Sequence, residues 1–206
     1  IREVIDNIAD LGSVLEMKAG FAKGMFTGFI RVNGKSLGLI ANNPLYLAGA
    51  IDSNGADKAS RFIKLCENYN IPILSLCDTP GMMVGPEVEE TGLVRHCCRL
   101  FLAGANVTVP MMTIVLRKAY GLGAQAMAGG SFMAPQFVVG WPTAEIGAMG
   151  LEGAVKLGYR KELEAESDVE KKEKLFKKLV DDLYEKGKAI NAASLLEFDT
   201  VLDPIE

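Results

Sequence analysis

The sequence predicts an α/β fold with a layered, largely parallel sheet. Two β-rich runs flank Asn33-Gly34, a dipeptide that suits the positive φ angles of a tight hairpin turn. Downstream, an amphipathic helical stretch followed by a short continuous apolar run occurs repeatedly, which is typical of the αβ step of a parallel sheet. The chain has 206 residues, of which 49% are hydrophobic. We therefore expect residues 1–206 to form one domain.

The first half of the chain is predicted to contain a short helix, the hairpin and a capped helix. The short helix is expected at residues 2–10, and the hairpin strands at 27–32 and 36–41. Asn54 is expected to cap the next helix, with Asp57 three residues later in the capping-box position. The two side chains would then satisfy backbone N–H groups that the first helical turn leaves without partners.

Further helices and strands are predicted to alternate after this helix. Continuous apolar runs mark the strands, while glycine, proline and acidic residues mark the helix starts. The predicted strands are 71–77, 111–116, 137–141 and 144–148, and the predicted helices begin at Pro86, Leu122 and Leu151. Ser167 and Glu170 form a capping box before an amphipathic stretch, so that a C-terminal helical segment is expected over about 167–192.

Composition and charge argue against several classes of function. The net charge is −4 and no basic stripe is present, which does not favour nucleic acid. The longest apolar run, Val109 to Leu116, is too short to span a bilayer, and no secretory leader is visible. Four cysteines and one histidine lack the spacing of a zinc site and predict buried free thiols. We expect a cytoplasmic protein, or one of the mitochondrial matrix in a eukaryote.

Two predicted strand-to-helix junctions are candidates for chemistry. The first spans Cys77 to Pro86 and the second spans Arg117 to Ala124. Ligands bind where parallel strands end and helices begin, because free backbone N–H groups point outward there. Glycines in both junctions would let the backbone approach a ligand, or would only permit tight turns and close packing. The residues alone leave both interpretations open.

Other chemistries lack their motifs in this sequence. Neither junction contains a P-loop, no serine lies in a nucleophile elbow, and the dinucleotide-binding pattern is incomplete. His96 is the one histidine, and Asp78 is as well suited to capping a turn as to catalysis. Groups for general acid–base catalysis are therefore few, while backbone donors are many. This balance favours a reaction in which the protein stabilises negative charge on an oxygen.

Three long segments resemble the carboxyltransferases of biotin-dependent acyl-CoA carboxylases, of the acetyl- and propionyl-CoA type. The family patterns are D-x-P-G-F…G…E-x-x-G-x-x-R, R-K-A-Y-G-G-A and W-P-T-A-x-I…M-G…E-G-A-V. They are matched at Asp78–Arg95, Arg117–Gly123 and Trp141–Val155, in the family's order. The resemblance implies a crotonase-like β-β-α spiral fold. It also implies that the chain is the C-terminal, biotin-binding half of the enzyme, whereas acyl-CoA is held mainly by an N-terminal half.

The resemblance implies a reaction in which CO2 moves from carboxybiotin to the α-carbon of an acyl-CoA, with no metal in this domain. The peptide N–H groups of Leu122 and Gly123 would bind the ureido oxygen of biotin. The biotin pocket implied by the family comprises Tyr120, Gly121, Leu122, Gly123, Gln125, Pro80, Gly81, Met82, Met149 and Gly150. A biotin carboxyl carrier, a biotin carboxylase and further copies of the same subunit are the implied partners.

The chain also departs from the family pattern. Leu122 replaces a glycine, Gln125 stands where an acidic or aliphatic residue is linked with acyl choice, and Met82-Met83 replaces an aromatic residue. These changes leave the acyl group open. Since the chain begins with Ile1, we expect a piece of a longer polypeptide that is weakly active alone. Two alternatives remain: a biotin-dependent decarboxylase subunit, and a non-catalytic half-domain for assembly or binding.

Overall fold

A twisted mixed sheet organises residues 1–205, which the computed structural model describes. Within those residues the sheet has eight strands. They are β1 (Leu15–Glu16), β2 (Met25–Val32), β3 (Lys35–Asn42), β4 (Ile73–Thr79), β5 (Met111–Tyr120), β6 (Phe137–Gly140), β7 (Glu145–Gly147) and β8 (Thr200–Val201). The helices are α1 (Arg2–Ile8), α2 (Ser53–Asn68), α3 (Pro86–Glu89), α4 (Leu93–Ala105), α5 (Gly121–Met127), α6 (Leu151–Gly158), α7 (Arg160–Ala165), α8 (Val169–Gly187) and α9 (Ala189–Ser194), with a 3-10 turn at Leu47–Gly49.

The strand order is β1-β2-β3-β4-β5-β6-β8, and β7 pairs with β5 beyond the end of β6. The first three strands are antiparallel, and every pairing from β3 onward is parallel. The predicted hairpin is confirmed: Asn33 and Gly34 have φ angles of 50° and 76°. The Asp10 carboxylate accepts hydrogen bonds from both of their N–H groups, at 2.9 and 2.8 Å. This contact fixes the turn that sets the register of β2 and β3.

Helices α2, α4 and α5 cover one face of the parallel strands. The core on this face is built from β4 and β5 side chains together with Phe62, Ile63 and Leu100 of the helices, all of them buried. A smaller apolar cluster lies on the opposite face, where Ile5 of α1 packs against β2, β3 and β4. The carboxyl ends of β4 and β5 therefore lie side by side at one edge of the sheet, with a helix beginning after each.

The predicted helix caps are wrong by one or two residues. The Oδ1 atom of Asp52 accepts from the Gly55 N–H at 2.6 Å and caps α2, because Asn54 already lies inside the first turn. Asp57 instead contacts His96 and Arg99, at 2.8 and 2.9 Å. Downstream, α8 is capped by Asp168 rather than Ser167: its Oδ1 accepts from the N–H groups of Glu170 and Lys171. In each case a carboxylate adjacent to the predicted cap provides the acceptor.

Two predicted elements are divided in the structure. The helix expected from Pro86 ends at Glu89, and α4 begins after Gly92, whose φ angle of 69° no other residue type adopts as easily. The C-terminal helical segment is interrupted at Lys188, which forms a β-bridge with Glu145. Gly187 sits directly against the backbone of Ile146, where a side chain would not fit. The helix α7 and the strands β1 and β8 were not predicted.

Candidate functional site

The two predicted junctions contact each other through their backbones. A Cβ atom on Gly123 would lie 2.6 Å from the carbonyl carbon of Gly81 and 2.9 Å from the nitrogen of Met82. No side chain fits at such a distance, so glycine is required at position 123 for the turns to meet. The glycine is therefore explained by close approach, and the first turn of α5 lies on the turn that follows β4.

The first junction is held in place from both sides. The Thr79 hydroxyl donates to the Gly81 carbonyl at 3.0 Å and lies 3.1 Å from the Gly81 N–H, which donates back to it. The Gly81 carbonyl also accepts from the Ile51 N–H at 3.0 Å, and the Met83 N–H donates to the Ile51 carbonyl at 3.0 Å. Gly81 has a φ angle of 120°, which glycine allows. The junction is a fixed turn with its backbone groups largely paired.

The second junction presents backbone N–H groups that lack partners. Strand β5 ends at Tyr120, and Gly121 has a φ angle of 57° as α5 begins. Within residues 1–205, the amides of Leu122 and Gly123 donate to no protein acceptor, and α5 has no side-chain cap. Leu122 is 62% exposed, and Gly123 is buried. These unpaired donors form a potential binding site for negative charge on an oxygen.

A third segment completes the surroundings of Gly121. Strand β7 pairs with the end of β5, with Gly147 opposite Tyr120. The Ala148 carbonyl oxygen lies 2.9 Å from the position that a Cβ atom on Gly121 would take. The predicted site residues Met149 and Gly150 follow directly in the chain, and Met149 is 41% exposed.

Three predicted site residues on or next to α5 differ in their exposure to solvent. Leu122 and Gln125 are three residues apart on α5 and are both exposed, so they are neighbours on its outer surface. Tyr120, by contrast, is 4% exposed. Burial raises the pKa of its hydroxyl, and the neighbouring carboxylate of Glu145 raises it further. Tyr120 is therefore a neutral interior residue, and no local pattern in the sequence indicates that Glu145 lies beside it.

The cavity beside the first junction does not include the free amides. A cavity of about 360 Å³ adjoins the first junction at Met83 and Val88, and is also lined by Ser53, Thr91 and His96. No residue of the second junction lines it. Since Leu122 is 62% exposed, a ligand beside it would remain open on one side unless another part of the protein covered it.

Metal-binding clusters and membrane spans are both absent from the described residues. Between residues 1 and 205, no group of three or more histidine, cysteine, aspartate or glutamate side chains is arranged to hold a metal ion. No helix in the same range is both long and apolar enough to cross a membrane.

The prediction that the cysteines are buried is wrong for Cys98, which is exposed. Burial raises the pKa of the Cys66 thiol to about 12 and that of Cys97 to about 11, and it raises the pKa of Cys77 as well. We expect iodoacetamide at pH 8 to modify the native protein once, at Cys98, because the thiolate is the reactive form. Mass spectrometry should show four adducts after unfolding. A second adduct before unfolding would contradict this assignment.

Comparison with known proteins links this geometry to one family. The family described as "Carboxyl transferase domain" matches residues 1–206. The methylmalonyl-CoA carboxyltransferase 12S subunit of Propionibacterium freudenreichii subsp. shermanii is 44% identical over 168 residues, which are 82% of this chain and 32% of that protein. The methylmalonyl-CoA decarboxylase subunit alpha of Propionigenium modestum is 42% identical over 166 residues, covering 81% and 32%.

A solved structure gives the same result. A single-chain, multi-domain long-chain acyl-CoA carboxylase superposes with a TM-score of 0.90 at 51% identity, over 99% of this chain and 20% of that chain. The chain spans about a third of the length of the curated relatives that it matches. The predicted crotonase-like α/β fold is confirmed by this likeness. The matched residues, the relatives and the superposition together show that the chain belongs to the carboxyl transferase domain family.

Proposed function

We propose that residues 1–206 are the biotin-facing, C-terminal half of an acyl-CoA carboxyltransferase, with the helical segment at about 167–192 packed on its edge. The reaction is the transfer of a carboxyl group from carboxylated biotin to the α-carbon of an acyl-CoA. One observation carries this proposal: the unpaired amides of Leu122 and Gly123 stand at a turn that is pressed against Gly81. Membership of the family supplies the substrate class.

The two amides suit the ureido oxygen of biotin. Biotin, when bound, supplies the carboxyl group and an oxygen that gains negative charge as that group leaves. The Leu122 and Gly123 N–H groups would donate to this oxygen, and donors that are fixed in advance stabilise such charge by about 3 to 4 kcal/mol each. The close contact between Gly123 and Gly81 leaves no room for side chains between the turns. The donors are thereby held still.

The side chains around the junctions support a reaction that needs no acidic or basic group from this half. Asp78 is already bonded to Arg117 and to the Lys118 N–H. Tyr120 is buried and neutral, with its pKa raised by burial. Neither side chain is placed to remove the proton from the acyl α-carbon, and the biotin ureido group is suited to this role.

The remaining biotin contacts would come from the loops around the amides. Pro80, Gly81 and Met82 border the site on the β4 side, and Met149 and Gly150 border it on the β7 side. The exposed side chain of Gln125, next to Leu122 on α5, is placed to face the acyl group. Its polarity and the methionines of the first junction are the features that we expect to tune the choice of acyl-CoA.

The open side of the site supports a partner that covers it. We infer that an acyl-CoA-binding half, from another part of the protein or another copy, covers α5, and that a biotin carboxyl carrier and a biotin carboxylase complete the system. The matched residues make up only 32% of the 12S subunit relative, which agrees with a second half that binds acyl-CoA. Free cysteines at four positions support a reducing compartment, which we take to be the cytoplasm, or the mitochondrial matrix in a eukaryote.

A decarboxylase subunit is the second candidate, since one relative with 42% identity bears the name methylmalonyl-CoA decarboxylase subunit alpha. The same amides would serve transfer in either direction. A decarboxylase subunit moves the carboxyl group from a carboxylated thioester to biotin. The third candidate is a half-domain for assembly, which transfers no carboxyl group.

The test is a transfer assay with the complete carboxyltransferase assembly. A biotin carrier that bears an isotopically labelled carboxyl group is mixed with propionyl-CoA. We expect labelled methylmalonyl-CoA to form, and none to form when the carrier lacks biotin. Transfer confined to the reverse direction, from methylmalonyl-CoA to biotin, would favour the decarboxylase. Absence of transfer in both directions, with no binding of the biotinylated carrier by titration, would overturn the proposal and favour the assembly role.

A further inference from the structure

The end of β5 contains a bulge next to the second junction. Cys77 of β4 pairs with Val115 of β5, but the next pair joins Thr79 to Ala119. One residue of β4 therefore stands opposite three residues of β5. Bulges of this kind bend a strand and redirect the residues that follow, and they are frequent beside active sites. Here the residues that follow lead directly into the first turn of α5.

Asp78 is the single β4 residue opposite this bulge, and the Asp78 carboxylate accepts hydrogen bonds from the bulged residues. Oδ1 accepts from the Lys118 N–H at 3.2 Å and from Nε of Arg117 at 3.3 Å, while Oδ2 accepts from a terminal guanidinium nitrogen of Arg117 at 3.1 Å. The Asp78 side chain is 9% exposed, whereas that of Arg117 is 51% exposed. A buried carboxylate thus spans the bulge with three charge-assisted or backbone hydrogen bonds.

The main chain of Asp78 is held on its other side. Its N–H donates to Oδ1 of the buried Asn42 on β3 at 3.1 Å. Its carbonyl oxygen packs directly against Gly49, where a side chain would not fit. The backbone of Asp78 is therefore held by β3 and the 3-10 turn. Its carboxylate in turn restrains the bulged residues of β5 through hydrogen bonds.

Resting on the proposed function, we infer that Asp78 is a positioning residue for carboxyl transfer. Its carboxylate holds the β5 bulge so that the Leu122 and Gly123 amides stand at the correct distance from Gly81. We assign it no contact with the reacting atoms, because every hydrogen bond of its carboxylate goes to Arg117 and Lys118 of the bulge. Arg117 is the countercharge that lets a carboxylate remain buried at this point.

The test compares Asp78→Asn with Asp57→Asn in the complete carboxyltransferase assembly. Asparagine keeps the shape of aspartate but turns an amide NH2 towards the donors of the bulge. We expect Asp78→Asn to lower kcat about 10-fold with an unchanged KM for acyl-CoA and an unchanged Tm, since small misplacements of catalytic groups are costly. Asp57→Asn also loses an arginine contact, but between α2 and α4 rather than at the β5 bulge, and should retain kcat.

Arg117→Lys serves as a second variant if Asp78→Asn does not fold. It keeps a positive charge beside the buried carboxylate but replaces the two guanidinium donors with one ammonium group. The Lys118 N–H bond remains, and we expect a lower kcat with the same unchanged KM. A kcat for Asp78→Asn within twofold of that for Asp57→Asn overturns the inference. So does a loss of kcat that follows a lower Tm. If Leu122→Pro abolishes transfer while Asp78→Asn does not, the proposed function stands and only this inference fails.

Discussion

Replacing Leu122 with proline is expected to lower kcat for carboxyl transfer by about 10²- to 10³-fold, the usual cost of losing one fixed donor to a developing oxyanion. Proline has no N–H group, so the substitution removes one of the two unpaired donors at the start of α5. Proline is well accepted in the first turn of a helix, and the Leu122 side chain is 62% exposed. The fold should therefore survive. Steady-state kinetics of the complete assembly measure the effect.

Leu122→Ala is the matched control, because it removes the same side chain and keeps the N–H group. We expect it to retain kcat within about threefold, and both variants to keep the Tm of the parent protein. Equal kinetics for the proline and alanine variants would show that the amide is not used. A loss of kcat in both would assign the effect to the leucine side chain instead.

Replacing Gly123 with alanine is expected to lower kcat by about 10²-fold. The new Cβ would lie 2.6 Å from the carbonyl carbon of Gly81, and both partners in this contact are backbone. The turns must move apart, and a shift of about 1 Å at a catalytic group can cost about 10²-fold in rate. The same crowding should lower the free energy of unfolding by about 1 to 3 kcal/mol. Kinetics and thermal unfolding together check both effects.

Gly153→Ala is the control for Gly123→Ala. Gly153 lies in α6, and a Cβ atom there would meet no atom within 4 Å. Alanine also favours a helix over glycine by about 1 kcal/mol. We expect this variant to keep its kcat and to be no less stable than the parent. Unchanged kcat in Gly123→Ala would mean that the two turns do not need to touch during catalysis.

Local signals in the sequence were sufficient for the hairpin and for the buried strands. Asn33-Gly34 specifies its turn through the positive backbone angles that these two residues adopt easily. Short, mostly apolar runs such as 73–77, bounded by turn residues, favour a buried strand. The caps were less predictable, because Asp52 and Asn54 are both suitable acceptors, and the choice between them depends on where the helix begins.

The end of β5 was mispredicted for a tertiary reason. Arg117-Lys118 looks like a turn in the sequence, since two adjacent basic residues seldom continue a buried strand. The carboxylate of Asp78, 39 residues earlier in the chain, binds both residues and allows the strand to reach Tyr120. The sequence motifs were sufficient to identify both junctions. The contact between Gly123 and Gly81, however, depends on the alignment of β4 with β5, which no short segment specifies.

The contact between the two glycine-containing turns also bears on how such proteins can diversify. The groups assigned to charge stabilisation belong to the main chain, and the exposed side chains of Leu122 and Gln125 project away from it. Under the proposed function, substitutions at Gln125 would alter which thioester is accepted while the donors remain unchanged. A lineage with this architecture can acquire new acyl preferences by drift at a few side chains, without rebuilding its reaction centre.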